Sequence, residues 1–259
     1  FSDKALEKMI DGYTKEAGVR SLERQIARVC RKAVRQLYLG NGEPNTETKT
    51  VRVSDKNLSE YLGKVKYTTD MINKKNEVGI VRGLAWTSVG GDTLEIEVNT
   101  MPGKGELILT GQMGDVMQES ARIALTYVRS VASGKKYHVD AEYFDTNSIH
   151  LHIPEGAVPK DGPSAGVTMA TAILSAVTEI PVYSDVAMTG EVTLRGRVLP
   201  IGGLKEKLLA AKTAGVKKVL VPEDNKSDVA ELDEEITDGM EIIYVSDMKQ
   251  VIDNAFVRV

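Results

Sequence analysis

A chain of 259 residues, 42% hydrophobic and 27% charged, has apolar material for one large core or for a main domain with a smaller attachment. No apolar run approaches the roughly 18 residues that a membrane-spanning helix needs. The formal net charge of −4 gives no general attraction to phosphate backbones, so nucleic-acid binding is not indicated, and the single cysteine, Cys30, excludes an internal disulfide and a cysteine-rich zinc site.

A lone cysteine fits a reducing compartment, and the cytoplasm is the expected location. The chain opens on Phe1 with no charged-then-apolar signal segment and no Arg-rich transit segment, and the expectation is a piece cut from something longer. Ser2 is placed to cap a helix running through Thr14, and Ser21 to cap a second one reaching about Leu39. In the second, Leu22, Ile26, Val29, Cys30, Ala33 and Leu37 recur at helical spacing, while Arg24, Arg28, Arg31, Lys32 and Arg35 read as its solvated face. The stretch from Gly40 to Thr50 is turn-rich and polar. A short strand at Val51–Val53 and a helix at Asn57–Gly63 come after it, then a charged, featureless stretch from Lys64 to Asn76. The expected division is therefore residues 1–63, a linker over 64–76, and a main domain over 77–259.

From about Val78 the sequence turns to β-branched strands interleaved with helices. Strands are predicted near Gly79–Trp86, Thr93–Asn99, Leu107–Thr110 and Ile149–Ile153, with a helix from Asp115 to about Ala132 between the last two. A helix at Ser164–Glu179, a strand pair near Ala187–Pro200, a helix at Gly203–Ala214 and a strand at Lys218–Val221 come next. A helix after Asn225, a strand at Glu241–Val245 and a helix to Phe256 complete the series. The fold class is α+β, with no repeat or heptad series.

Within this frame the segment Pro159-Lys160-Asp161-Gly162-Pro163-Ser164-Ala165-Gly166 puts Ser164 at the start of an apolar helix. Small neighbours leave room for a substrate backbone, and the N–H groups of a helix start can hold an oxyanion. A serine there is also a common helix cap, and position alone does not separate the two roles. A nucleophilic serine needs a base. Of the histidines His138, His150 and His152, the last two share one face of a strand, either as ligands or as the polar side of a sheet. The helix from Gly203 offers a lysine instead. Lys207 has Gly203, Leu204, Ala210 and Ala211 at offsets of three and four, all small or apolar, whereas Lys205 has Lys212 on its side. Desolvation lowers a lysine's pKa, so Lys207 is the better base, its alternative being a lysine that snorkels beside a core stripe.

The octapeptide at 159–166, Met-Thr-Gly-Glu at 188–191 and Gly-Gly-Leu-Lys-Glu-Lys-Leu at 202–208 together resemble the bacterial-type Lon ATP-dependent serine proteases. Ser164 and Lys207 stand 43 positions apart, as in that family, and the likeness runs from about residue 77 to 255. The resemblance implies the Lon proteolytic fold of mixed sheets with outer helices and a Ser164–Lys207 dyad. It implies that Thr189 helps to hold the lysine, that Asp161 shapes or covers the site, and that Trp86 and Glu97 line a substrate groove. For Asp161 a helix cap is the competing reading, for Trp86 a core tryptophan, and for Glu97 a solvent-facing strand carboxylate. Residues 1–63, especially Glu16-Ala17-Gly18-Val19-Arg20-Ser21-Leu22-Glu23-Arg24, resemble part of the helical lid of the preceding ATPase module, with Arg20 as its nucleotide-sensing arginine.

In function, the resemblance implies a serine endopeptidase that degrades unfolded, damaged or regulatory polypeptides. No metal or cofactor is needed for peptide cleavage, ATP and magnesium serve the full-length enzyme, and the assembly is a homohexamer. The chain has no G-x-x-x-x-G-K-[ST] loop to cradle a nucleotide's phosphates. A Lon-like module that has lost catalysis and serves oligomerisation or substrate binding is the alternative, although it is expected to lack the serine or the lysine. A Ser-His-Asp α/β-hydrolase is disfavoured because Gly-Pro-Ser-Ala-Gly lacks the nucleophile-elbow pattern G-x-S-x-G.

Overall fold

The computed structural model describes residues 1–16, 18–39, 50–67, 72–87, 90–134, 136–140, 142–154 and 159–258. The chain separates into two compact units, one built on the first three helices and the other on the later strands and helices.

In the first unit α1 (Asp3–Tyr13) is capped by Ser2, whose side chain accepts from the Ala5 N–H, as the sequence predicts. The second helix, α2 (Arg20–Leu39), begins one residue before Ser21, and Ser21 does not cap it. Its cap is the Glu16 carboxylate, which accepts from the N–H groups of Ser21 at 2.7 Å and Leu22 at 2.9 Å. A charged acceptor reaching two free donors at a helix start displaces a hydroxyl that satisfies one. The third helix is α3 (Leu58–Leu62). Val51–Val53 forms no strand. Val53 instead accepts from the Ser2 N–H and drops its side chain among Ala5, Met9, Tyr13, Val29, Leu58, Tyr61 and Leu62, the core of this unit.

The second unit runs β1 (Ile80–Thr87), β2 (Gly90–Pro102), β3 (Leu107–Thr110), α4 (Asp115–Ala132), α5 (Tyr143–Thr146) and β4 (Asn147–His152), then α6 (Gly166–Thr178) and β5 (Val186–Met188). It continues with β6 (Glu191–Val192), β7 (Val198–Leu199), α7 (Leu204–Ala214), β8 (Lys218–Pro222), α8 (Lys226–Ala230), α9 (Glu234–Thr237), β9 (Glu241–Val245) and α10 (Met248–Ala255). Seven strands form one mixed sheet in the order β3-β4-β2-β1-β5-β8-β9. β4 lies antiparallel to β2 and parallel to β3, and β5, β8 and β9 extend the sheet in parallel from β1. The predicted strand pair near Ala187–Pro200 divides: β5 enters the large sheet, and only β6 and β7 form an antiparallel hairpin. The helix predicted from Ser164 also starts later, because Pro163–Ala165 is a single 3-10 turn and α6 opens at Gly166.

Two apolar layers hold the sheet. On one face Ile96, Val98, Ile149 and Leu151 pack against Met117, Ala121, Ala124 and Val128 of α4 and Met169 and Ile173 of α6. Every residue of α6 from Gly166 to Val177 is buried, so this helix is the spine of the domain. On the other face Leu84, Ala187, Val219 and Val221 meet Leu204, Leu208 and Ala211 of α7. Alternation sends Leu220 to the first layer and Val219 and Val221 to the second, as expected for strands buried on both sides. Truncating Leu208, fully buried here, to Ala costs about 2–5 kcal/mol and removes the seat of α7.

Candidate active site

The segment ahead of α6 is shaped by two residues whose backbone is restricted. Gly162 has φ 114° and ψ 159°, a conformation essentially reserved for glycine, and Pro163 fixes the next φ for the 3-10 turn. Ser164 rides on that turn, half-buried. Its carbonyl accepts from the Gly190 N–H at 2.8 Å, and the Val167 N–H donates to the Gly190 carbonyl at 3.1 Å, so the start of α6 is laced to the residues just after β5. No described acceptor takes the Ser164 N–H.

Thr189 comes directly after the last residue of β5. Its N–H donates to the Leu220 carbonyl of β8 at 3.1 Å, its side chain is fully buried, and its hydroxyl donates to the Ser164 carbonyl at 3.3 Å. The same hydroxyl accepts from Lys207 Nζ at 3.0 Å. Lys207 lies on the inner face of α7 and is 2% exposed, whereas Lys205 faces solvent. Burial alone lowers the Lys207 pKa from 10.5 to about 8, so a substantial neutral fraction exists near physiological pH. Ser164 and Lys207 line one cleft of about 650 Å³. Among the described hydrogen bonds none joins Ser164 Oγ to Lys207 Nζ.

The other predicted residues fall in different places. Asp161 lines the cleft, and its Oδ1 also accepts from the Met117 N–H at 3.0 Å and the Gly162 N–H at 2.8 Å. It therefore caps α4, a helix remote in sequence, where Gly114 leaves no room for a Cβ beside the carboxylate. Trp86 lines the cleft at 61% exposure, so it is not a core tryptophan, and it lies against Gly203. Glu97 is outside the cleft lining, on the opposite register of β2 from Ile96 and Val98 and paired with His152. Arg20 is exposed at the start of α2, in the other unit. The cleft also takes in Asp92, Leu94, Met117, Pro200, Ile201 and Glu206, none of which the sequence marked as functional. They come from β2, α4, the segment after β7 and α7, and no spacing in the chain announces their meeting. Glu206 had the one usable signal, its place beside Lys207.

Four residues of β1, Leu84 to Thr87, also line the cleft. β5 pairs with β1 only at Arg82 and Gly83, so beyond that point β1 runs past the end of its partner along the cleft wall. Among the described residues no group of three His, Cys, Asp or Glu side chains is arranged to hold a metal ion, and no helix is long and apolar enough to cross a membrane.

Residues 52–258 match the family model of the Lon protease (S16) C-terminal proteolytic domain, and residues 1–50 match that of the Lon protease AAA+ ATPase lid domain. The chain is 54% identical to the Lon protease of Lachnoclostridium phytofermentans over 99% of its length, covering 36% of that protein. It is 49% identical to the Lon protease of Clostridioides difficile over its whole length, covering 32% of it. It is 50% identical to that of Bacillus thuringiensis over 99%, covering 31%. The chain thus spans about a third of the length of these relatives.

Proposed function

Because the chain belongs to the Lon protease family and carries its proteolytic domain, we propose that it cleaves peptide bonds with Ser164 as nucleophile and Lys207 as general base. The observation that carries this reading is the hydrogen-bonded series from Lys207 Nζ through the Thr189 hydroxyl to the Ser164 carbonyl, with Lys207 desolvated in an apolar layer. Neutral Lys207 takes the Ser164 proton as Oγ bonds to the scissile carbonyl carbon, and the Ser164 N–H meets the oxyanion. Collapse breaks the C–N bond, and the ammonium of Lys207 returns its proton to the leaving amine. Water then gives a proton to Lys207 as its oxygen bonds to the ester carbon, and on collapse the acyl C–Oγ bond breaks and Lys207 passes that proton to Ser164 Oγ, which restores both residues. Thr189 holds the lysine toward the cleft in both protonation states, since a hydroxyl can accept from it in either.

An extended polypeptide fits this cleft. The strand residues Leu84 to Trp86 run along the cleft wall beyond the β1–β5 register, and Trp86, Leu94, Met117 and Ile201 offer apolar side-chain contacts to an extended chain. Substrates are unfolded, damaged or regulatory polypeptides, delivered by the ATPase of the full-length enzyme as a cytoplasmic homohexamer. Residues 1–63 are its partial lid, joined by residues 64–76 to the proteolytic domain, and Arg20 senses nucleotide there. ATP and magnesium belong to that longer protein. This chain has no phosphate loop and does not fit them by itself, so no step of cleavage runs through nucleotide. The presence of both Ser164 and Lys207 favours this reading over a silent module.

The test is covalent labelling. A serine-directed phosphonate is expected to modify Ser164, located by mass spectrometry, and Ser164→Ala is expected to be unlabelled, folded and unable to hydrolyse an unstructured polypeptide. Hydrolysis by pure Ser164→Ala, or labelling at another serine, contradicts the assignment.

A further inference from the structure

The sheet half formed by β3, β4 and β2 carries most of its apolar side chains on the α4–α6 face, and alternation puts a mainly polar array on the other. Register sets Glu97, His152 and Thr110 in one row across three strands, and Asn99, His150 and Ile108 in the next. The two histidine rings turn toward one atom: Thr110 Oγ1 lies 3.0 Å from His150 Nε2 and 2.7 Å from His152 Nδ1. A hydroxyl carries a single proton, so Thr110 donates to at most one ring and accepts from the other. Two imidazole nitrogens thus gather about one half-exposed point, with the Glu97 carboxylate on the same face. None of these side chains lines the serine cleft.

We propose that His150 and His152 form a two-imidazole chelate for a divalent transition-metal ion of the copper, nickel and zinc class. Imidazole nitrogen is a preferred ligand for these ions, at about 2.0–2.1 Å for zinc. Both rings stand on one strand and already face a common point, so rotations about side-chain bonds bring the nitrogens to that range without moving the sheet. Glu97 adds a negative charge beside the pair. Among the described residues no third His, Cys, Asp or Glu completes a closed set, so the remaining positions fall to water or to Thr110. The site is consequently open and exchangeable, unlike a structural zinc site. Magnesium and calcium, which take oxygen ligands, do not compete for it.

The experiment titrates the whole chain with CuCl2, NiCl2 and MgCl2, following heat of binding and melting temperature. Ligation by the native fold alone raises the melting temperature with saturation. The expected result is one saturable site, tighter for Cu2+ than for Ni2+ and absent for Mg2+. His150→Gln and His152→Gln each weaken it by about tenfold or more. His138→Asn, which tests the remaining histidine and suits its φ of 53°, leaves it unchanged. Thr110→Val keeps both rings and keeps binding, which separates ligation from any folding defect of the histidine variants. Absence of saturable binding, survival of the site in the His150→Gln/His152→Gln double variant, or its loss in His138→Asn overturns the proposal.

Discussion

Lys207 is placed where its two protonation states differ most in free energy. Its ordinary pKa of 10.5 holds in the unfolded chain and falls to about 8 on burial. Between those values the unfolded chain binds more protons than the folded one, so stability rises with pH through that window, and below pH 8 the full penalty of a buried ammonium applies. Lys207→Met is therefore expected to be inactive but more stable than the parent at pH 7, by about 3 kcal/mol in urea unfolding, with the gain disappearing above pH 10.5. Equal stabilities at pH 7 would mean that the lysine is not desolvated. Thr189→Val removes the only described partner of Lys207 Nζ and is expected to cost about 1–3 kcal/mol, while Thr189→Ser retains most of the stability and activity. At this scale the sequence was readable where one helix decides the surroundings. The small and apolar neighbours of Lys207 on its own turn singled it out over Lys205, and burial agrees with that choice. Trp86 was not readable in this way, because its place on the cleft wall, against Gly203, is set by an element remote in sequence.

Two local features shape the cleft, and each has a separable effect. Asp161 ties the turn to the N-terminus of α4 through the Met117 N–H. Asp161→Ala is expected to lower stability by about 1 kcal/mol and to reduce kcat, and Asp161→Asn, which keeps the accepting oxygen, is expected to restore most of the stability. Thermal melts and steady-state rates of the pair check this. Gly203 precedes α7 at φ 68°, and a Cβ there would stand 2.8 Å from Trp86 Cγ. Gly203→Ala thus combines roughly 1–2 kcal/mol of left-handed strain with displacement of the cleft wall, and KM is expected to rise. Most elements were visible as periodic apolar runs, α4 and β9 among them. The departures have local causes: Glu16 overrides Ser21 as a cap, Val53 finds a core position without a strand partner, and Pro163 and Gly162 impose a 3-10 turn ahead of α6. Likewise α5, only four residues long, leaves no periodicity to read.

For the whole chain, two units with separate cores imply that the larger one folds by itself. A fragment from residue 72 onward is expected to fold and to be labelled at Ser164, and the 259-residue chain is expected to show no micromolar affinity for ATP in calorimetric titration, since Arg20 has no phosphate loop to work with. The order of motifs along the sequence identified the family, but the assembly of the cleft from β1, β2, α4, the Ser164 turn and α7 is a tertiary fact that no local pattern carries. The most direct test of the Ser164–Lys207 account is the pH dependence of kcat/KM for the parent chain beside Lys207→Arg, His150→Gln and His152→Gln. Activity of the parent is expected to rise through about pH 8 as Lys207 loses its proton, Lys207→Arg to be inactive at every pH because a guanidinium does not deprotonate, and both histidine variants to keep the parent's profile. Near-normal activity in Lys207→Arg, together with a folded histidine variant that is dead at every pH, would contradict it and move the base to a histidine.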